Sequence, residues 1–331
     1  MDSKSNNLNK KTNFRKVMEF NRAFDMVPIE PSNYSSFLED SNGNIKYNPL
    51  KNIRKNIFKD SPNIIKLRCD LIKEELEELN DAILQNDLIE QRDACADILY
   101  VVYGMADVLG ISMDDLFNNK INIDYYINNN LSNELLNKTI IDENKYTKDY
   151  DYNYENINIT NLNTSNFEKV KLIKNKILGF DILSISNNEL ISLINFNLNK
   201  IYLDLEYNCT IDDINSDDTI ITKFELVSDN LFNLLKWTYL MTYSIGADSD
   251  SDFSIVHESN MSKLCDNEDD AKATVEDYRI KYIAGVSPYD TPYYYYLENL
   301  DKWIVKNLST GKALKNIKYK KVNFKNSRFV F

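Results

Sequence analysis

Two consecutive helical patterns in residues 67–117 constrain the fold of this chain more than any other stretch. Carboxylates gather near the turn between them: Glu74, Glu75 and Glu78 in the first pattern, then Glu90, Asp93 and Asp97 in the second. At the same helical spacing the second set of acids continues into apolar positions. Its acids therefore lie at the start of an apolar stripe, the face of a helix that packs against a partner segment. Acids in such a place need compensation, and a divalent cation provides it. The stretch therefore predicts a helical hairpin with a metal site near its turn.

The composition favours a mainly helical globular protein. The chain has 331 residues, of which 43% are hydrophobic and 27% charged, enough for one large or two ordinary domains. Only 7 glycines and 6 prolines interrupt long periodic segments rich in Leu and Ile, which argues against a doubly wound sheet. The four cysteines have no C-x-x-C spacing, and we expect reduced residues of the core.

Charge and hydropathy limit the partners. The net charge is −12, which argues against binding to a nucleic-acid duplex, since that binding is carried largely by Lys and Arg. No run of about 18 apolar residues occurs, and the first residues lack an apolar stretch after their lysines. We therefore expect a soluble, intracellular protein without a membrane segment.

Local signals place the helices. Residues 12–26 have helical apolar spacing after Thr12, a suitable N-cap, and a loop with several prolines follows. Pro62 opens the long helix that carries the glutamates, Asp87 begins the next one, and Gly110 ends it. A short helix starts at Met113. Much later, residues 292–307 read as a Tyr-rich β-hairpin.

The second half of the chain echoes the first. Residues 165–170 resemble residues 12–17, and residues 229–253 align without gaps with residues 93–117. This alignment pairs Tyr103 with Tyr239 and Gly110 with Gly246. Repeated order of this kind predicts an internal duplication. The second copy has lost most of the acids, since Asn233 stands in the place of Asp97.

The repeat predicts a pseudo-dimer in one chain. Residues 1–130 form the first repeat, an acidic, metal-binding helical domain. Residues 131–164 are a linker rich in Asn, Asp and Tyr. Residues 165–331 form the second repeat, which has a degenerate acid site, the sequence HESNMSK and a basic tail. We expect a monomeric pseudo-dimer or a homodimer.

Five motifs, taken in order, resemble the all-α nucleoside triphosphate pyrophosphohydrolases, a superfamily that includes MazG, the dimeric dUTPases and phosphoribosyl-ATP pyrophosphohydrolase. The phage and giant-virus branch is the most similar. The matching segments are residues 14–24, 71–78, 93–104, 257–263 and 311–319. One departure concerns the second acid pair, which is usually E-x-x-D in this superfamily. Here Ala94 precedes Asp97 by three positions, so Asp93 must supply the other acid.

The resemblance implies a helical bundle and Mg²⁺-dependent release of pyrophosphate from a nucleoside triphosphate, with Mn²⁺ as an alternative cation. It also implies a cytoplasmic protein, in the host cytoplasm if the chain is viral. Glu75, Glu78, Asp93 and Asp97 would bind the metal, and Glu74 would orient or deprotonate the attacking water.

The resemblance also implies contacts to substrate outside the acid stretch. The residues in question are His257, Asn260, Lys263, Lys312, Lys315 and Tyr319. Since the acids lie in one repeat and these residues in the other, we expect one composite active site.

Plainer interpretations remain open. The acids could form a surface cluster, the single histidine could be structural, and the lysines could merely solubilise the tail. The tyrosines of residues 293–296 are most simply explained by packing within the β-hairpin. The alternative function is a catalytically inactive helical protein of the same fold that binds nucleotides or a protein partner.

Overall fold

The computed structural model describes residues 12–24, 37–39, 45–121, 187–210, 217–298 and 300–324. Helices dominate these residues, which confirms the mainly α prediction. The helices are α1 (Asn13–Ala23), α2 (Ile57–Asp60), α3 (Pro62–Gln85), α4 (Leu88–Leu109), α5 (Met113–Ile121), α6 (Asn187–Thr210), α7 (Asp217–Ser244), α8 (Ser249–Met261) and α9 (Glu268–Ile283). The strands are β1 (Phe37–Glu39), β2 (Ile45–Tyr47), β3 (Pro292–Leu297) and β4 (Lys302–Asn307).

Helices α3 and α4 form the predicted helical hairpin, and their ends follow the capping signals of the sequence. Pro62 occupies the first turn of α3, and Asn86 ends this helix with a φ of 52°. The Asp87 side chain accepts hydrogen bonds from the backbone N–H groups of Ile89 and Glu90, at 3.0 and 3.1 Å. Gly110 ends α4 in the left-handed region. A connection this short keeps the two helices packed side by side.

A second pair of helices repeats this arrangement. Helices α6 and α7 pack against each other, and α7 also packs against α4. Helix α7 is followed by Gly246, with a φ of 75°, close to the 77° of Gly110. The backbone bond from Ala247 N to Thr242 O, at 3.0 Å, closes the end of α7. Gly110 and Gly246, paired in the sequence alignment, therefore terminate their helices in the same way.

The contact between α4 and α7 is reciprocal. The hydroxyl oxygens of Tyr103 and Tyr239 lie 2.6 Å apart in the core. The ring of Tyr103 lies 6.0 Å from that of Phe253, and the ring of Tyr239 lies 6.4 Å from that of Phe117. In the sequence alignment Tyr103 pairs with Tyr239, and Phe117 pairs with Phe253. The tyrosine of each copy therefore contacts the phenylalanine of the other copy. Two copies packed about a pseudo-twofold axis are expected to show this pattern.

Helix α9 and strands β3 and β4 build a smaller core. The two strands are antiparallel, with Tyr294 opposite Val305, which confirms the predicted β-hairpin. Val305 packs with Cys265, Ala271 and Val275 in a buried cluster. The rings of Tyr294 and Trp303 lie against the same cluster, 5.6 Å apart. This supports the prediction that the tyrosines serve the packing of the β-hairpin.

The described residues pack as two compact units. The first, called here the acid unit, contains residues 12–14, 37–39, 45–121, 187–210 and 217–253. The second, called the lysine unit, contains residues 15–24, 254–298 and 300–324. The predicted repeat boundaries at residues 130 and 165, and the linker of residues 131–164, lie outside the described residues. The division into repeats therefore stays a prediction.

All four cysteines are free and buried, as predicted. Strands β1 and β2, which pair antiparallel with Leu38 opposite Lys46, occupy a region predicted to be a loop. No helix in the part of the chain that the structure describes is both long and apolar enough to cross a membrane.

The end of α4 gives a test of this packing. A Cβ atom on Gly110 would lie 2.1 Å from the carbonyl oxygen of Asn52, whereas a Cβ on Gly285 would meet nothing within 4 Å. Both glycines have a positive φ, which costs an alanine about 1 kcal/mol. We expect Gly285→Ala to lower the free energy of unfolding by about that amount, and Gly110→Ala by about 3 kcal/mol or more. Chemical denaturation measures both, and equal losses would contradict the close approach of Asn52.

Candidate functional site

The acids of α3 stand beside its buried stripe. Ile72, Leu76 and Leu79 are buried at helical spacing and pack into the core of the acid unit. Glu75 precedes Leu76 and is half-buried, while Glu74 and Glu78 are exposed. A carboxyl group at the edge of an apolar interface loses much of its hydration, so ionisation becomes costly there.

Helix α4 supplies the other acids. Asp93 and Asp97 lie one turn apart and are half-buried, with Ala94, Ala96 and Ile98 buried around them. Their charges act on Glu75 across the interface between α3 and α4. Two helices that pack side by side thus hold carboxylates from both chain segments within electrostatic reach of one another.

Burial and like charges raise the pKa of Glu75 to about 9. Burial is the larger cause, followed by the charges of Asp97, Glu78, Glu74 and Asp93. Four of the other acids predicted from the sequence therefore act on Glu75, and these five carboxylates are called here the acid cluster. A pKa raised in this direction favours the protonated form of the Glu75 carboxyl at neutral pH.

The donor chemistry of this cluster suits a hard divalent cation, because carboxylate oxygens are the ligands that Mg²⁺ prefers. The side chains of these acids do not, however, point toward one common position. Among the described residues, no group of three or more His, Cys, Asp or Glu side chains is arranged closely enough to hold a metal ion. Glu75, Glu78, Asp93 and Asp97 therefore fit a cation by chemistry, and their side chains would have to rotate toward it.

A buried ion pair anchors α4 next to the acids. The Arg92 guanidinium donates to both carboxylate oxygens of Asp252, at 2.9 and 2.6 Å, and both side chains are essentially excluded from solvent. Removing one partner of such a pair costs about 3–5 kcal/mol. The pair restrains the rotation of α4, and with it the direction of the neighbouring Asp93. Sequence reasoning missed it, although an arginine at the head of an apolar helix was a usable signal.

The predicted substrate contacts lie in the lysine unit. Lys263 Nζ lies 2.6 Å from Asn260 Oδ1 and 5.7 Å from the centre of the Phe20 ring. Lys315 Nζ lies 4.8 Å from the centre of the Tyr319 ring. His257 is half-buried on α8 and Lys312 is exposed.

The structure joins two of the motifs directly. Ser259, from the motif of residues 257–263, lies 2.7 Å from the hydroxyl of Tyr319, from the motif of residues 311–319. The amide of Asn316 donates to the carbonyl of Ser262 at 2.7 Å. Ser259 and Ser262 belong to the motif of residues 257–263, but the sequence analysis gave them no role. Asn316 lies at a position of its motif that any residue can occupy, so the sequence did not distinguish it from other polar residues of the tail.

Part of the chain is similar to a known protein family. The family model for phosphoribosyl-ATP pyrophosphohydrolase matches residues 47–121, which include every acid of the cluster. An uncharacterized protein of Acanthamoeba polyphaga mimivirus is 31% identical over 320 residues, which span 96% of each chain. No solved structure matches the chain significantly.

The chain belongs to the phosphoribosyl-ATP pyrophosphohydrolase family, within the all-α pyrophosphohydrolases.

Membership of this family accounts for the acid unit more fully than for the lysine unit. The family match contains α3 and α4 and ends at Ile121. His257, Lys263 and Tyr319 lie beyond it, while the similarity to the mimivirus protein spans 96% of the chain. The similarity to a giant-virus protein agrees with the viral branch expected from the motifs. The pyrophosphohydrolase fold is thus established for the acids, while the roles of the lysines stay predictions.

The raised pKa of Glu75 predicts a pH dependence of stability in the metal-free protein. Its folded pKa, about 9, lies above its value of about 4.5 in the unfolded chain, so the stabilising contribution is complete below about pH 4.5 and is lost as the pH rises toward 9. We expect Glu75→Gln, measured with chelator, to become more stable relative to wild type as the pH rises from 5 to 9. Urea denaturation at several pH values measures the difference.

Glu77→Gln is the matched control. Glu77 is exposed on the same helix and lies 3.7 Å from Lys73. Its removal should leave the pH profile of stability parallel to that of the wild type. Parallel profiles for Glu75→Gln as well would show that Glu75 ionises normally.

Proposed function

We propose that the protein is a Mg²⁺-dependent nucleoside triphosphate pyrophosphohydrolase, which converts a ribo- or deoxynucleoside triphosphate to the monophosphate and pyrophosphate. The observation that carries the proposal is the cluster of five carboxylates around Glu75, within the part of the chain that matches the family. A folded protein keeps a buried acid among like charges at a cost to stability. Binding of a divalent cation by these carboxylates would offset that cost and would supply positive charge for the phosphates of a substrate.

The acids divide into two roles. Glu75, Glu78, Asp93 and Asp97 would hold the metal, because the charges of the other three act on Glu75 at the interface between α3 and α4. When bound, Mg²⁺ neutralises charge on the phosphate oxygens. Metal binding requires the ionised form of Glu75, so we expect a proton to be released on binding below about pH 9.

Glu74 is suited to act on the water. It is exposed, it adjoins the cluster, and its charge acts on Glu75. In the proposed reaction Glu74 accepts a proton from the attacking water while the water oxygen bonds to phosphorus. The bond between the α-phosphate and the bridging oxygen breaks, and pyrophosphate leaves.

The lysine unit carries the positive charge that a triphosphate needs. Lys263, Lys312 and Lys315 are the proposed phosphate contacts, with His257, Asn260 and Tyr319 beside them in sequence. Their participation in one composite active site with the acids is the part of the proposal that rests on the sequence alone.

The alternative function, binding of nucleotides or a partner without catalysis, has one observation in its favour. Asn233, aligned with Asp97, is buried on α7 and cannot supply a carboxylate. If the second repeat arose by duplication, it has given up its acid site while the fold persisted. Release of pyrophosphate from a panel of nucleotides with Mg²⁺ separates the two functions, and binding without turnover on any nucleotide would favour the alternative.

Matched substitutions in α4 and α7 test the acid site. Asp93→Asn and Asp97→Asn should each lower pyrophosphate release by about 100-fold or more, because each removes a charged ligand. Asp229→Asn, at the position of α7 that aligns with Asp93, should leave turnover unchanged. Circular dichroism shows whether the helices are retained. Full turnover in a folded Asp97→Asn variant would exclude the cluster as the active site.

A lysine substitution tests the composite arrangement. Lys263→Met should raise KM for the triphosphate about tenfold, the effect of one charge-assisted phosphate contact. Lys302→Met is the control, because Lys302 lies 2.6 Å from Asp266 and its charge is already compensated. An unchanged KM for Lys263→Met would assign the phosphates to other residues.

A further inference from the structure

Two segments of the lysine unit that are far apart in sequence are held together by a buried amide. Asn316 is 7% exposed. Its Nδ2 donates to the carbonyl oxygens of Ser262 and Leu264, at 2.7 and 2.6 Å, and its Oδ1 accepts from the backbone N–H of Lys318 at 2.5 Å. One side chain thus satisfies three backbone groups in two segments, residues 262–264 and 316–318.

Two serines add further hydrogen bonds between these segments, and the contacts made by Asn316, Ser259 and Ser262 are together called the junction. The Oγ of Ser259 lies 2.7 Å from the Tyr319 hydroxyl and 2.8 Å from the carbonyl oxygen of Lys320. A serine has one hydroxyl proton and a carbonyl can only accept, so the Tyr319 hydroxyl supplies its own proton to Ser259. Ser262 Oγ accepts from the backbone N–H of Lys320 at 3.0 Å. These bonds of Ser259 and Ser262 therefore hold the two segments together in addition to the bonds of Asn316.

The junction lies next to the two lysines that the motifs single out. Lys263 lies between Ser262 and Leu264, the two residues whose carbonyls Asn316 binds. Lys315 immediately precedes Asn316, and its Nζ rests over the ring of Tyr319 at 4.8 Å. Any rotation of the Asn316 side chain would release the backbone that carries both lysines.

We propose that Asn316 is a positioning residue that fixes the backbone of Lys263 and Lys315 so that both ammonium groups meet the same phosphate chain. The inference rests on the proposed function and extends it to a residue that does not itself touch the substrate. A lysine has a long, flexible side chain, so its affinity for phosphate depends on how well its backbone is fixed beforehand. An amide is suited to this junction because it offers two donors and an acceptor at once.

Two full-length variants test the proposal. Asn316→Leu keeps the branched shape and adds no charge, but it removes both donors and the acceptor. Ser259→Ala removes the bonds to Tyr319 and Lys320 on the other side of the junction. Each should bind inorganic pyrophosphate about tenfold more weakly than the wild type in Mg²⁺ buffer, measured by calorimetry. With a nucleotide that the wild-type protein hydrolyses, each variant should raise KM by a similar factor and leave kcat unchanged.

Asn267→Ala is the control for a loss of stability alone. The Asn267 side chain accepts from the backbone N–H of Asp270 and caps α9 in the same unit. Its removal costs about 1 kcal/mol of stability, and the side-chain bonds it removes go to Asp270 and not to the backbone of either segment. Affinity for pyrophosphate should therefore stay at the wild-type value in Asn267→Ala.

The outcomes separate this inference from the proposed function. Wild-type affinity for pyrophosphate in a folded Asn316→Leu variant would overturn the positioning role, and so would no binding of pyrophosphate by the wild type. If Asn316→Leu does not fold, as shown by circular dichroism, Ser259→Ala decides in the same way. Absence of turnover on every nucleotide would refute the proposed function, while the pyrophosphate titration would still decide the role of Asn316.

Discussion

Like-charge repulsion at the interface between α3 and α4 is the constraint on which the acid unit depends. Glu75 is half-buried and lies within electrostatic reach of four other carboxylates. Apolar packing by residues such as Leu76 and Ile98 holds the two helices together against that repulsion. The bidentate pair of Arg92 and Asp252 restrains α4 beside the same cluster. Part of the free energy gained by apolar packing therefore offsets the repulsion between these carboxylates, as is common at functional sites.

Signals confined to a few neighbouring residues made much of the fold predictable. Asp87 and Gly110 specify helix ends because their cap bonds and positive φ involve only the adjacent turn. The acids could be placed in one cluster because a helical hairpin with a two-residue connection leaves little freedom in how its faces meet. The β-hairpin of Tyr294 and Trp303 was predictable from its alternation.

Interactions between distant segments were not predictable in this way. Arg92 and Asp252 are 160 residues apart, and no periodic pattern connects them. Asn316 reads as one more polar residue in a basic tail until its contacts with Ser262 and Leu264 are seen. The strand pair β1 and β2 was missed because three-residue strands are too short to show an alternation. Long-range partners of this kind depend on the packed fold, and a single sequence does not display them.

The reciprocal contacts of Tyr103 and Tyr239 have a consequence for how such a chain can change. In a homodimer a mutation alters both subunits together, so a change that suits one site is imposed on the other. Under the proposed duplication, the two positions are encoded separately, and each can be substituted alone. The presence of Asn233 in one copy and of Asp97 at the aligned position of the other is an example of such an independent substitution. Under that proposal two packed copies can specialise, one retaining charge and the other accepting a neutral amide, while the contact of Tyr103 with Tyr239 is kept.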